Sequence, residues 1–381
     1  MTKSFKTGMI RATELTKAGK LTEATALIQS LLVPGTEAPE SDAIAGSFTR
    51  LDAVTPAEKP TVKPRKSPAM RRTGLAETLR KIAAGGMPLS GPVTGKAVAT
   101  PPGAQFLSLT YTSPHGSRAY RLYVPANRPD APMPLIVMLH GCTQSPEDFA
   151  AGTGMNTLAE EFGCLVAYPA QPSGANAQKC WNWFRAEDQG RDRGEPALIA
   201  GITKDILRNY KADPARVYIA GLSAGGAAAA IIALAYPDLF AAAGVHSGLP
   251  VGAAQDIPSA FAAMRSGAAG TRQKQAVPTI VFHGLADTTV HPGNGAAVIT
   301  QTLNAMPGLR RSTDTGTSTG GRSYRRISHN ATDGRVMAEQ WEISGAGHAW
   351  AGGQAAGSYT DPAGPDASRE MLRFFLQHTR P

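Results

Sequence analysis

The 381-residue sequence predicts an α/β fold in which a mostly parallel sheet is covered by helices on both faces. Three observations predict it. From about residue 105 onward, short apolar segments alternate with helical ones, and strands joined by crossover helices pair in parallel. Residues 134–139 form a continuous apolar run, which is typical of a strand buried on both faces. Residues 216–227 pass from a β-branched strand through a glycine-rich turn into a helix of small residues.

The predicted elements follow in order from this region. Alternating segments over 106–112 and 118–124 flank a turn and predict a hairpin. A strand over 134–140 precedes a helix that begins at Pro146 with Ser145 as its N-cap. The other predicted elements are strands over 165–169, 216–220, 240–246, 278–283 and 340–344, helices over 196–209, 224–235, 293–305 and 366–378, and a hairpin around Asp333 and Gly334. The Gly-, Ser- and Thr-rich residues 307–321 predict a mobile surface loop.

The N-terminal part of the chain predicts a separate organisation. Residues 1–34 show two apolar stripes at helical spacing with Gly19 between them, which predicts a helical hairpin. Each helix has one apolar stripe, so we expect the hairpin to dock on the domain that follows or on another subunit. Residues 35–104 are rich in Pro, Ala and Gly and predict a largely disordered linker with one short helix near 75–83. The α/β domain is predicted over 105–381.

The turn at Ser223 is the first segment that predicts a catalytic residue. Gly221, Ser223 and Gly225 match G-x-S-x-G, the nucleophile elbow, in which a strained turn between strand and helix exposes the serine. The elbow is characteristic of the α/β-hydrolase arrangement, which accommodates every predicted element from residue 105. A serine hydroxyl is a weak nucleophile alone, so it needs a base and an acid to orient that base.

Both partners have candidates in the expected order of nucleophile, acid and histidine. Asp287 follows the strand over 278–283, and His348 lies in a glycine-flanked loop after the strand over 340–344. We expect His348 to take the Ser223 proton while Asp287 holds the imidazole. The competing candidates are His246 and His291 for the base, and Asp361 and Asp366 for the acid. His246 lies too near the following strand to reach back to Ser223, and His291 follows Asp287 almost directly.

Acyl transfer also needs donors for the developing oxyanion. In this arrangement one donor is the backbone N–H after the nucleophile, here Ala224, and the second comes from the loop after an earlier strand. The loop after the strand over 134–140 supplies the backbone N–H of Cys142. We interpret His140 as a structural residue that braces this loop.

The aromatic residues near the predicted site suggest the substrate. Trp181, Trp183 and Phe184 lie in one loop, and Trp350 follows His348 by two residues. These side chains predict an apolar substrate-binding surface, although they could also be core, and we expect at least one of Trp181 and Trp183 to be. No Lys or Arg cluster surrounds the triad, which favours a short, neutral hydroxyacyl ester.

Charge and cysteine content limit the partners and the compartment. Lys and Arg number 38 against 29 Asp and Glu, a net charge of +9, and residues 1–81 hold 14 of these cations against 8 anions. The basic residues around 63–72 are interpreted as a solvated linker, since no nucleic-acid motif accompanies them. We expect no metal, no cofactor and no membrane span, and the N-terminus lacks the apolar segment of a secretory signal.

Three cysteines are too few for a disulfide framework. Cys164 opens an apolar strand and is predicted to be a buried thiol. Cys142 and Cys180 both adjoin loops at the presumed active-site end, so they could be paired or free. A bond between them would indicate an oxidising compartment, against the missing signal.

Several blocks of this sequence together resemble the poly(3-hydroxybutyrate) depolymerase family of esterases. They are residues 140–144 (HGCTQ), 180–184 (CWNWF), 221–226 (GLSAGG), 283–287 (HGLAD), 347–350 (GHAW), 359–362 (YTDP) and 364–368 (GPDAS). The resemblance covers residues 105–381, and the N-terminal hairpin also resembles a segment of some bacterial members.

The resemblance implies an α/β-hydrolase fold, a Ser223, Asp287 and His348 triad, and hydrolysis of short-chain 3-hydroxyalkanoate esters. Relatives in the family act on feruloyl or acetyl esters of plant polysaccharides, and hydrolysis of such esters is therefore the alternative function. A serine peptidase with the same triad belongs to this alternative. A non-enzymatic protein that binds a granule or partner is a third hypothesis. The resemblance also favours the Cys142–Cys180 bridge and an extracellular location, with the cytoplasm as the alternative. Neither a signal peptide nor a polymer-adsorbing domain is seen, in contrast to secreted polymer-degrading members.

Overall fold

A computed structural model describes residues 100–380 of the chain. The helical hairpin predicted over 1–34, and the linker predicted over 35–104 apart from its last five residues, lie outside this range and stay predictions. The strands of the described region are β1 (Gln105–Ser113), β2 (Gly116–Val124), β3 (Met133–Leu139), β4 (Leu165–Pro169), β5 (Ala212–Leu222), β6 (Ala242–His246), β7 (Thr279–Gly284), β8 (Arg310–Thr317), β9 (Ser323–Asn330), β10 (Val336–Ile343), β11 (Trp350–Ala351) and β12 (Thr360–Asp361).

The helices connect these strands and cover the sheet. They are α1 (Pro146–Thr153), α2 (Met155–Phe162), α3 (Gly194–Asn209), α4 (Ala224–Ala235), α5 (Ile257–Ser266), α6 (Gly293–Ala305) and α7 (Ala367–Phe375). Ser145 caps α1 as predicted, since its hydroxyl accepts a hydrogen bond from the Asp148 N–H at 3.2 Å. No helix within residues 100–380 has the length and apolar character needed to span a membrane.

Ten strands form one sheet in the order β1-β2-β4-β3-β5-β6-β7-β10-β9-β8. The central strands from β4 to β10 pair in parallel, whereas β1 and β2 at one end and β9 and β8 at the other are antiparallel. This confirms the predicted mostly parallel sheet. The carboxyl ends of β3, β5, β7 and β10 therefore meet at one edge, where ligands bind in such sheets.

The continuous apolar run of β3 is explained by the two core layers on either side of the sheet. Leu135 and Val137 pack toward a core that contains residues of α3, α4 and α5. Ile136 and Met138 point to the opposite face, into a core that contains residues of α1, α2 and α7. Because successive side chains of a strand alternate between faces, a strand with helices on both sides must be apolar at every position.

Three parts of the fold differ from the sequence prediction. The loop predicted over 307–321 is wrong, because β8 occupies most of this range as an exposed edge strand paired with β9. An edge strand exposed on both faces has no apolar alternation, so its threonines were the only strand signal. The helix predicted from Pro146 begins there as expected and ends at Gly154, whose φ is 63°, but the second helix α2 that follows it was not predicted. Helix α5 was not predicted.

Candidate active site

Ser223 lies between β5 and α4 with φ of 58° and ψ of −119°, a conformation that L residues rarely adopt. The two glycines of the motif make this turn possible. A Cβ at Gly221 would lie 2.3 Å from the Gly225 carbonyl carbon, and a Cβ at Gly225 would lie 2.1 Å from the Leu139 carbonyl oxygen. Strand β5, helix α4 and the end of β3 thus pack closely enough to exclude any side chain at either glycine.

Asp287 and His348 are hydrogen-bonded to each other. The His348 Nδ1–H donates to Asp287 Oδ2 at 2.7 Å, which directs Nε2 away from the carboxylate. The other carboxylate oxygen accepts the backbone N–H groups of Thr289 at 2.8 Å and Val290 at 2.9 Å. The Asp287 side chain is fully buried, whereas that of His348 is 12% exposed. The structure thus brings together two of the three predicted catalytic side chains on neighbouring strand ends.

The environment of Asp287 keeps it ionised. Burial alone would raise its pKa, but hydrogen bonds from His283 and His348 outweigh burial and hold the pKa well below its usual range. His283 is the residue that the sequence prediction missed here. Its Nε2 lies 3.4 Å from Asp287 Oδ2 and 2.9 Å from the Val290 carbonyl oxygen. The sequence signal that could have identified His283 is its position in the block of residues 283–287, four residues before Asp287. A lone buried histidine usually has a structural role, so His283 alone does not indicate a contact with the acid.

His246 connects Ser223 to the segment that follows His348, but it cannot act as the base. Its carbonyl accepts the Ser223 N–H at 2.9 Å, and its Nε2 accepts the Ala351 N–H at 2.9 Å. Burial lowers the pKa of His246 to about 3, and the proximity of His283 and His348 contributes to the same lowering. With Nε2 occupied as an acceptor, this ring is a neutral brace stacked against Trp350.

The remaining candidates for base and acid have separate hydrogen-bond partners. His291 is exposed, and its Nδ1 accepts the Gly293 N–H at 3.1 Å. Asp361 accepts a hydrogen bond from Arg322 Nε at 2.8 Å. Asp366 caps α7 by accepting the Arg369 N–H at 2.9 Å. These contacts favour the pair of Asp287 and His348 as acid and base.

Two backbone donors remain free beside the elbow. Within residues 100–380, the N–H groups of Cys142 and Ala224 have no hydrogen-bond partner. The neighbours of Cys142 are occupied: the Gly141 N–H donates to Gln144 Oε1 at 2.8 Å, and the Thr143 N–H donates to the Gln178 carbonyl at 2.7 Å. Ala224 is the first residue of α4, so its N–H has no intrahelical acceptor. Free donors at these positions suit an oxyanion.

The loop that carries Cys142 is held from behind by a disulfide and by His140. Cys142 is bonded to Cys180, as the resemblance implies, and Cys164 is a buried free thiol as predicted. His140 accepts the Gln171 N–H on Nε2 at 3.0 Å and faces the Gly141 carbonyl through Nδ1 at 2.7 Å. Burial lowers the pKa of His140 to about 4, so it is neutral and acts as a brace.

A buried carboxylate that sequence reasoning missed supports the same loop. Glu195, at the start of α3, accepts the Asn182 backbone N–H at 2.8 Å and its side-chain amide at 2.9 Å. It also accepts the Gln171 amide, which in turn donates to the Cys180 carbonyl at 2.9 Å. Arg118 Nη2 lies 4.0 Å from Glu195 Oε1 and places a positive charge beside this carboxylate. A single glutamate in a helix carries no sequence signal for such a network.

The three tryptophans predicted to bind substrate are inside the fold, which corrects the expectation of an aromatic surface. Trp181 and Trp350 are fully buried, and Trp183 is 5% exposed. The Trp181 indole donates to the His140 carbonyl at 3.0 Å, and that of Trp350 donates to Ser368 Oγ at 3.0 Å. Both of these rings thus have their polar atom satisfied internally, which is how buried tryptophan is accommodated. Phe184 packs edge-on against Trp183 and is partly buried.

Comparisons with known proteins give the family of this chain. The sequence profile of a family described as Esterase PHB depolymerase matches residues 118–323. The chain is 33% identical over 253 residues to poly(3-hydroxyalkanoate) depolymerase C of Paucimonas lemoignei, covering 62% of this chain and 59% of that protein. It is 32% identical over 197 residues to a probable acetylxylan esterase A of Aspergillus clavatus, covering 45% of this chain and 61% of that protein. The chain thus spans about three fifths of the length of these relatives.

A solved structure supports the fold. The acetyl xylan esterase from Aspergillus awamori has a TM-score of 0.55 and 21% sequence identity, covering 72% of this chain and 99% of that one. At this identity the likeness concerns the fold alone. It agrees with the predicted α/β-hydrolase class.

Proposed function

Because the chain belongs to the PHB depolymerase family of esterases, we propose that it is a serine carboxylic ester hydrolase acting on poly(3-hydroxybutyrate) or short 3-hydroxyalkanoate oligomers. One observation carries the proposal. The hydrogen-bonded Asp287 and His348, the free N–H groups of Cys142 and Ala224, and the strained Ser223 all follow the carboxyl ends of strands in one sheet, and this supports the proposal. These are the parts that acyl transfer to a serine requires.

In the proposed reaction, Ser223 Oγ attacks the ester carbonyl carbon while His348 Nε2 takes its proton. The carbonyl oxygen becomes an oxyanion that accepts hydrogen bonds from Cys142 and Ala224. Asp287 stabilises the imidazolium, and the intermediate then collapses as the alcohol leaves with the proton from His348. Water attacks the acyl-enzyme with His348 as general base, which releases the hydroxy acid and restores Ser223. No metal or cofactor enters this scheme.

Relatives named as acetylxylan esterase and as feruloyl esterase support a second candidate function, hydrolysis of acetyl or feruloyl esters on plant polysaccharide. A serine peptidase with the same triad and a non-enzymatic protein that binds a granule or partner are lesser candidates. The predicted N-terminal hairpin stays a proposed docking element for the catalytic domain or another subunit. An extracellular site of action is also proposed, supported by the Cys142–Cys180 disulfide, which needs an oxidising compartment to form.

Replacement of the nucleophile tests the mechanism. We expect Ser223→Ala to lower kcat on p-nitrophenyl butyrate by about 10⁴-fold or more, because the remaining groups lack a nucleophile. Ser108→Ala, on the exposed face of β1, is the matched control and should keep full activity. Activity of Ser223→Ala equal to that of the unaltered chain would remove the catalytic assignment.

A substrate panel tests the ester class. We expect hydroxybutyrate oligomers to be hydrolysed with a higher kcat/KM than methyl ferulate, acetylated xylan or a peptide amide. Chromatographic quantification of the liberated carboxylic acid follows product release, so that esters and the peptide amide are compared by one readout. Faster turnover of ferulate or acetylated xylan would select the second candidate function instead.

A further inference from the structure

The burial of the three tryptophans leaves open which side chains contact the apolar part of an ester. Among residues 100–380, the large apolar residues that are exposed to solvent are Phe162, Ile257, Phe261, Leu285 and Tyr359. Of these, Tyr359 contacts the loop that carries Cys142, and its side chain is 45% exposed. A half-exposed aromatic ring in contact with the loop that carries Cys142 is available to a ligand bound at this loop.

The backbone at Tyr359 is held in an unusual conformation. Its φ is 52°, a region that side-chain-bearing residues rarely adopt, and its carbonyl accepts the Trp350 N–H at 2.7 Å. The preceding residue is fixed as well, because the Ser358 N–H donates to Asp148 Oδ1 at 2.9 Å and Gln144 Nε2 donates to the Ser358 carbonyl at 3.1 Å. Gln144 and Asp148 thus join this segment to the loop that carries Cys142.

The ring of Tyr359 reaches from the segment after His348 to the loop that carries Cys142. Its hydroxyl lies 3.2 Å from Thr143 Oγ1, and Thr143 Oγ1 donates to the Cys142 carbonyl at 2.6 Å. Because the Thr143 proton is used in that bond, the tyrosine hydroxyl is the donor to Thr143. Thr143 itself has a positive φ of 66° and is exposed. The phenol end of the ring is therefore fixed one residue away from the Cys142 N–H.

From this arrangement we propose that Tyr359 is a specificity-determining residue whose ring forms the apolar wall for the acyl chain of the ester. The inference rests on the proposed function. The Cys142 N–H would bind the carbonyl oxygen of the acyl group, and the Tyr359 ring is held by its hydroxyl at Thr143, the next residue of the same loop, which would place it on the acyl side. The leaving alcohol lies toward His348, which must protonate it. An aromatic face in this position favours longer, apolar acyl chains over acetyl.

The test compares acyl chains of different length on otherwise equal esters. The variants are Tyr359→Ala, which removes the ring, and Tyr359→Phe, which keeps the ring without its bond to Thr143. For Tyr359→Ala we expect the ratio of kcat/KM for p-nitrophenyl butyrate over p-nitrophenyl acetate to fall by about ten-fold, with acetate nearly unchanged. Tyr359→Phe should keep most of the ratio. Tyr359→Asn provides a second ring deletion that tolerates a positive φ.

Three results would overturn the proposal. They are an unchanged ratio in both ring deletions, an equal loss on butyrate and acetate, and a change seen only when the alcohol is varied between methyl and butyl butyrate. The last two would assign Tyr359 to loop support or to the alcohol side. Failure of the proposed function is distinguishable, because it would appear as undiminished hydrolysis by Ser223→Ala whatever residue occupies position 359.

Discussion

At the scale of single residues, the turn at Ser223 depends on the absence of side chains around it. Gly225 lies against the carbonyl oxygens of Leu139 and His140, at 2.1 and 2.6 Å from an added Cβ. The obstacle in both cases is backbone, which cannot rotate away as a side chain can. The same packing places α4, and with it the Ala224 N–H, beside the end of β3 and the Cys142 loop.

The substitution Gly225→Ala should therefore damage both stability and catalysis. We expect the free energy of unfolding to fall by about 1–3 kcal/mol, since the added methyl group overpacks the contact between α4 and β3. Displacement of the elbow should lower kcat/KM by about ten-fold or more. Urea denaturation and p-nitrophenyl butyrate hydrolysis measure the two effects. Gly174→Ala is the control, because an added Cβ there meets no atom within 4 Å. Equal behaviour of the two variants would contradict the packing argument.

At the scale of elements, the loop between β3 and α1 owes its shape to a covalent link. The Cys142–Cys180 disulfide joins it to a segment 38 residues away, and that segment is anchored by Glu195 and Asn182. The loop therefore has both a covalent and a hydrogen-bonded support behind the free Cys142 N–H. Loss of either should move the donor more than it affects the sheet.

Removal of the disulfide by a Cys142→Ser and Cys180→Ser double substitution should lower the free energy of unfolding by about 2–4 kcal/mol. We expect kcat to fall more than KM rises, because an oxyanion donor acts mainly in the transition state. Steady-state kinetics and urea denaturation of the double variant provide the measurements. Cys164→Ala removes the buried free thiol and should leave kcat unchanged. A double variant with unaltered kcat would show that the link does not position the donor.

Some elements of the fold and of the proposed site could be predicted from the sequence, and others could not. The parallel core and the positions of Asp287 and His348 were predictable because strand ends of a parallel sheet meet at one edge. The edge strand β8 was not, since a strand exposed on both faces lacks the apolar period. The direction of the indoles was not predictable either. Trp181 and Trp350 are neighbours in sequence of Cys180 and His348 in the proposed site, but their burial depends on partners such as His140 and Ser368, which lie 41 and 18 residues away along the chain.

At the scale of the whole molecule, the site is assembled from four strand ends over a core that contains neutral histidines. His140 is buried beside the Cys142 loop and His246 behind the elbow. Each has Nε2 occupied as a hydrogen-bond acceptor, which requires the uncharged ring. The folded site therefore requires His140 and His246 to be uncharged. Below neutral pH both histidines become protonated in the unfolded chain.

This difference predicts acid-sensitive stability. Burial lowers the pKa of His140 to about 4 and that of His246 to about 3, against about 6.5 in an unfolded chain. Above about pH 7 both rings are neutral in either state, and the fold keeps its full stability. As the pH falls below 6.5, the unfolded chain binds protons that the folded chain does not, so the free energy of unfolding decreases. Each histidine should remove roughly 2–3 kcal/mol between pH 6.5 and 4.5.

Urea denaturation of the full chain at pH 7.5, 5.5 and 4.5 measures this loss. His140→Gln removes one titrating group and should flatten the decline, whereas Ser108→Ala, an exposed substitution on β1 that removes no titrating group, should not. Buried Glu195 acts in the opposite direction: burial raises its pKa, so its protonation on acidification favours the folded state. The comparison of variants separates the two contributions because only the histidine part disappears in His140→Gln. Identical slopes in His140→Gln and the unaltered chain would show that His140 is not held neutral by the fold.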